Sequence, residues 1–402
     1  MHIAKRYIRF TWLLFVPLLM GADWSQFRGP GGNGVSSTTK VPTDWSDHFA
    51  WTADLPGRGP SSPITVGNQV IVTASSGPNQ DQLHVLSFDA KSGGLNWHRK
   101  CWATGRTLCH PSSANAAPTP ASDGQQIYAF YSSNDLICLD LQGNLKWFRG
   151  LGADYPKAGN DVGMSSSPVV AANTVVLQVE GQNDSFVVGI DTNNGETRWR
   201  LERPKESNWS SPVTMKSADG VDLVLLKGSD GLTARNIVTG DEVWSYKVAA
   251  GGIPSVLVQG NLVFLPSDEL IVLDTAQIVD GQPEVKWASN RVRPGPASPL
   301  IAGQNVVALA RNILTCADAE SGELKWRHRL EGDFWASPVL AGNRIVCVNL
   351  AGQAHVIEFS DDTAETIATY EFGQTLQGTP ALADDGVYVR SDAKLWKVAE
   401  SQ

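Results

Sequence analysis

The apolar positions fall in short runs, and eight of those runs begin on a small residue followed by proline: "SSPITV", "AAPTPA", "SSPVVA", "SSPVTM", "GIPSVL", "ASPLIA", "ASPVLA" and "GTPALA". Their prolines, Pro63, Pro118, Pro168, Pro212, Pro254, Pro299, Pro338 and Pro380, are spaced 55, 50, 44, 42, 45, 39 and 42 residues apart. Behind each comes a β-rich segment such as "NQVIVTAS" or "NTVVLQVE". An apolar segment ending in Asp or Asn follows, then a turn with glycine, then tryptophan, as in "DLQGNLKW", "DTNNGETRW" and "DAESGELKW". The Asp or Asn can bond its own backbone, and the glycine can take the left-handed conformation of a tight hairpin. Four short strands per unit and eight units predict an all-β chain, an eight-bladed β-propeller of four-stranded antiparallel blades.

Trp97, Trp147, Trp199, Trp244, Trp287 and Trp326 open the last strand of their units, where a large ring fills the wedge between neighbouring sheets. Burying each is worth roughly 1.5–3 kcal/mol. Two positions before the turn-opening residue stand Ser87, Cys138, Gly189, Ala234, Val272 and Cys316, mostly small, as close sheet packing requires. The last unit ends after three strands. Its fourth is expected near the N-terminus, because "FAWTADLPGRGPSSPI" aligns without a gap to "LKWRHRLEGDFWASPV", setting Trp51 beside Trp326. A strand at 49–55 thus completes the last blade and closes the ring, leaving no open radial edge. Blade seven carries Tyr370 where the tryptophan would stand.

The ends divide the chain. Lys5, Arg6 and Arg9 precede an uncharged apolar run, Thr11–Met20, and then Gly21-Ala22. That is the anatomy of a secretory signal peptide over residues 1–22, and the run is short for a transmembrane helix. Residues 23–48 read as an irregular, Gly-rich lead-in crossing one face of the ring, and 49–402 as a single propeller domain. The chain is then exported, periplasmic or extracellular, with no transmembrane segment in its mature part. Net charge is −9, and near −12 without the basic leader. Such a surface repels phosphate backbones and argues against nucleic acid.

The repeated D-x-x-x-G-x-x-x-W turn and the small-residue–Pro start resemble the PQQ-like repeat propellers, which include quinoprotein alcohol dehydrogenases and the outer-membrane assembly factor BamB. "DWSQFRGPGGNGVS", Asp23–Ser36, also looks like the start of a BamB-like group of planctomycete type. The BamB side of that resemblance implies a monomeric scaffold that binds a protein or peptide, without catalytic residues or cofactor. The quinoprotein side implies a dehydrogenase that oxidises an alcohol or sugar with PQQ and calcium. That chemistry needs a carboxylate and amide calcium site, a base and a flat stacking floor. The adjacent Cys–Cys pair of many such enzymes is absent, as is any C-x-x-C-H haem motif. A carbohydrate-binding propeller is the third reading.

Two adjacent joints are long: Trp97 to Pro118 and Trp147 to Pro168 each span 21 residues. They should raise a wall beside the central mouth, and binding tends to reside on such loops. Candidate rim residues from these joints are Arg106, His110, Asn115, Asp154, Tyr155, Lys157 and Asp161. Trp209 and Trp335, three residues before their prolines, would stack on a ligand or plug the tunnel. Arg291 and Arg293 add positive charge. In the first long joint His98, Cys101, Cys109 and His110 look like metal ligands, but strand alternation separates them, so no metal is expected. A Cys101–Cys109 disulfide is expected instead, closing a loop in an oxidising compartment.

Overall fold

The computed structural model describes residues 23–43, 45 and 49–399. The expected signal peptide lies outside these residues. Eight antiparallel sheets follow one another around a ring: Ile64–Trp102, Ala121–Gly150, Val169–Glu202, Val213–Lys247, Leu257–Ser289, Leu300–Arg329, Val339–Glu371 and Ala381–Val398. They are blades one to eight. The last has three strands from the C-terminal end and takes its outer strand, Phe49–Asp54, from the N-terminal side. Thr52 pairs with Trp396 and Asp54 with Lys394, where an ion pair of 2.8 Å seals the seam.

The tryptophan series shows why the turn motif has its form. Each ring stands opposite the small residue of the neighbouring strand, as in Ser87 with Trp97, Cys138 with Trp147 and Gly189 with Trp199. At Gly189 even a methyl group would come within 2.3 Å of the indole. The indole then crosses to the next blade. Trp97 Nε1 donates to Leu141 O, Trp147 to Thr192 O, Trp199 to Ile237 O and Trp287 to Ala319 O, at 2.8–3.0 Å. Each acceptor follows the residue that opens the turn. The turn glycine lies flat under the ring: a Cβ on Gly143 or Gly195 would sit 2.6 or 2.8 Å from Trp97 or Trp147. Both glycines also have positive φ, so the position excludes side chains twice over. In blade seven, Tyr370 stacks instead on Trp45 of the lead-in, at 5.3 Å between centroids.

The lead-in straps the face opposite the long joints. Trp24 exchanges bonds with Thr65 of blade one, and Ser25 O accepts from Ser122 N of blade two. Arg28, fully buried, donates to Val256 O and Pro299 O of blades five and six. Val35–Ser36 then pairs in parallel with Leu340–Ala341, and Thr39 Oγ1 donates to Ala383 O of blade eight at 2.8 Å. The strap thus ties blades on both sides of the axis.

Candidate functional site

The inner strands begin at a circuit of hydroxyls around the axis. Ser62 N donates to Thr119 Oγ1, Thr119 N to Ser167 Oγ, and Ser167 N to Ser211 Oγ. Ser211 N continues to Ser255 Oγ, Ser255 N to Ser298 Oγ, Ser298 N to Ser337 Oγ, and Ser337 N to Thr379 Oγ1. All are 2.8–3.0 Å. This circuit corrects the repeat register at two blades. Thr119 precedes Pro120, and Ser255 precedes Val256, so the equivalents of the other repeat prolines are Pro120 and Val256. Pro118 and Pro254 stand two residues early.

Above the circuit lies a cavity of about 470 Å³ opening on the face of the long joints. Its upper wall comes from the positions three before each repeat proline. With the register corrected, Ala117 and Ile253 line it in place of Asn115 and Gly251. Trp209 and Trp335 both face the cavity, leaving it open between them. Trp209 is half-buried, its Nε1 donating to Gly163 O at 3.0 Å, while Trp335 is 45% exposed. The plug comes from below, where Phe27 of the strap forms the floor. Phe27 was legible only as an anchor, because nothing local shows that residue 27 ends on the axis.

Of the candidate rim residues, the structure brings His110, Trp209 and Trp335 to the cavity. Asn115 is buried behind the wall: its N and Nδ2 donate to Gln80, and its Oδ1 accepts from Ser133 N. Tyr155 packs on Phe186 at 4.6 Å with the Arg200 guanidinium over its ring. Arg106 and Asp161 pair across the two long loops at 3.3 Å, and Asp154 pairs with Arg149. Lys157 is exposed, and its carbonyl accepts from Asp184 N. Arg293 pairs with Asp268 at 3.4 Å, and Arg291 lies in a short 3₁₀ turn after blade five, its N donating to Ser289 Oγ. Neither reaches the cavity.

The cysteine–histidine stretch disperses as its strand alternation requires. His98 meets His84 on the adjacent strand, Nε2 to Nδ1 at 2.9 Å, and His84 Nε2 meets Ser76 Oγ at 2.7 Å. His110 turns to Ser112 in the loop. Cys101 and Cys109, the expected disulfide pair, are both free thiols in this structure. Cys101 stands opposite Leu83, one residue before the end of its strand, and burial pushes its thiol up to about 11. Cys109 is held against Gly163 and accepts from Gln80 Nε2 at 3.6 Å. Each side chain is committed to other neighbours.

Burial lowers His84 from 6.5 to about 4, with His98 and Lys100 adding to the shift. A folded-state value below the unfolded one means the unfolded chain binds more protons between pH 6.5 and 4, so stability falls as pH falls through that window. The melting temperature should decline from pH 6.5 to 4, and His84→Gln should flatten that decline. An unchanged slope would remove His84 as its cause.

The sequence profile described as outer membrane protein assembly factor BamB matches residues 46–207, 156–270, 183–308 and 279–398, nearly the whole ring. The chain belongs to this family. A BamB from Moranella endobia (strain PCIT) is 26% identical over 303 residues, 73% of this chain and 70% of that protein. The crystal structure of BamB from Moraxella catarrhalis superimposes with a TM-score of 0.65 at 16% identity, covering 88% of this chain and 98% of that one. Quinohemoprotein alcohol dehydrogenase from Comamonas testosteroni gives 0.71 at 13% identity, covering 94% and 80%. At such identities the two superpositions show the shared propeller fold alone.

The cavity also tests the quinone alternative. PQQ is a tricarboxylate that needs cationic partners, and its calcium needs carboxylate ligands. The lining contains no Asp, Glu, Lys or Arg. The residues present do not fit the cofactor.

Proposed function

We propose that this chain is an exported, non-catalytic scaffold of the cell envelope that binds a protein partner on its long-loop face. One observation supports this above others. The tunnel cavity of a BamB-family ring is walled without Asp, Glu, Lys or Arg, with two tryptophans at its mouth. Buried aromatic anchors ringed by polar contacts characterise protein interfaces. The two long joints, locked together by the Arg106–Asp161 pair and by His110 N donating to Val162 O, supply a preformed wall.

A photo-crosslinking residue at Val162, on this wall, should capture a defined exported protein in intact cells. The same residue at Ile367, on the outer strand of blade seven, should not. Equal capture from both positions, or dye-linked alcohol oxidation after loading with PQQ and calcium, would overturn the reading.

A further inference from the structure

We infer that the tunnel cavity is a receptor for one uncharged tyrosyl side chain of the partner. This rests on the scaffold reading and names the chemistry its mouth selects. The upper wall is mainly apolar: Trp209 is fixed by its bond to Gly163, Trp335 is open to solvent, and Ala117, Ile253 and Pro296 stand between them, with Ser165, Gln377 and His110 as its polar members. A planar ring fits between such faces, and aromatic burial supplies the main gain. The wall then changes character at the hydroxyl circuit. From Thr119 round to Thr379, each hydroxyl oxygen accepts a neighbouring amide N–H. Among the described residues none of these hydroxyls, Ser211, Ser255, Ser298 and Ser337 included, donates to a protein acceptor. These side chains are nearly buried and face the cavity, so their protons are left for a guest.

A guest must therefore bring an oxygen acceptor on an apolar body. A phenol does so. A phenyl ring leaves the hydroxyls unpaired, which costs a buried polar site its discrimination energy. A carboxylate or phosphate would be desolvated against a lining that holds no Lys or Arg, which disfavours it. A sugar presents hydroxyls on every edge and would lose water against the apolar upper wall.

The test uses the full mature chain and acetyl-Gly-Ser-X-Ser-Gly-amide pentapeptides at up to about 5 mM, enough to occupy a millimolar site. Binding is followed by calorimetry. With X as tyrosine the peptide should bind at least about tenfold more tightly than with phenylalanine, the equivalent of one lost hydrogen bond of about 1.4 kcal/mol. With phosphotyrosine it should not bind. Trp335→Ala should weaken the tyrosine peptide about tenfold, and Ser211→Ala with Ser298→Ala should erase the preference over phenylalanine while phenylalanine-peptide binding persists, at a lowered melting temperature because Ser167 N and Ser255 N lose their acceptors. Equal binding of tyrosine and phenylalanine peptides, tighter binding of phosphotyrosine, or no binding at all would overturn the inference. Free p-cresol binding as tightly as the tyrosine peptide would make this a small-phenol site and overturn the peptide assignment. Crosslinking from Val162 that an excess of tyrosine peptide does not compete would sink this inference while leaving the scaffold reading standing.

Discussion

Glu180→Ala is expected to cost the fold about 3–5 kcal/mol, the range found when one member of a buried ion pair is removed. Glu180 is 2% exposed and accepts from Arg203 Nε at 2.5 Å. Asp230, largely exposed, lies 3.8 Å from the same guanidinium. Close by, Lys227 is buried behind the tunnel wall. Burial pulls its ammonium down to about 7 against the opposing pull of Glu180, and its Nζ donates to Pro254 O at 2.7 Å. Without Glu180, the buried Arg203 guanidinium has no buried anion, and Lys227 loses the charge that raises its ammonium. The packing leaves little room for relaxation, since a Cβ at Gly228 would already lie 2.1 Å from Arg203 Nη2. Urea denaturation of the single variant and of Glu180→Leu with Arg203→Met checks the account. The double variant should recover most of the loss, because removing both charges removes the unpaired one. A single-variant loss below about 1 kcal/mol would show that water reaches the pair.

Trp147→Ala should cost a similar amount, about 3–5 kcal/mol. The ring is buried, it lies across Gly195 of blade three, and its Nε1–H bond to Thr192 O spans the blade boundary at 2.8 Å. Truncation opens a cavity between two sheets and leaves that carbonyl without its donor. Trp102→Ala is the control: it ends the outer strand of the adjacent blade but is 61% exposed, and its loss should stay within about 0.5 kcal/mol. Equal losses at both positions would mean that docking between blades contributes nothing beyond general aromatic contact.

The ring was legible because its information is local and repeated. A proline, a turn and a tryptophan recur in one order, and the missing outer strand of blade eight shows itself by alignment of Trp51 with Trp326. The register slipped where local marks multiply or vanish. "APTPA" offers two prolines and the second is the structural one, while blade five places Val256 where a proline is expected. Only the circuit of amide-to-hydroxyl bonds, which joins residues 39 to 57 positions apart, reveals the slip. The rim was harder still. Strand periodicity says which way His98 points, but no periodicity governs a long loop, so Asn115 turned inward and Arg293 stayed at the edge. Phe27 reaches the axis through a strap whose path depends on contacts with six blades.

The seam between Phe49–Asp54 and Lys394–Val398 carries a kinetic consequence. Asp54 and Lys394 are 340 positions apart, so the last blade cannot assemble until nearly all of the chain is available. Bringing such distant segments together costs about 5 kcal/mol of loop entropy in a flexible chain, and contacts of this separation form late. Until then the first and last blades each expose an unsatisfied flank. Aggregation during maturation should therefore be governed by how long the ring stands open, more than by the stability of any blade within it.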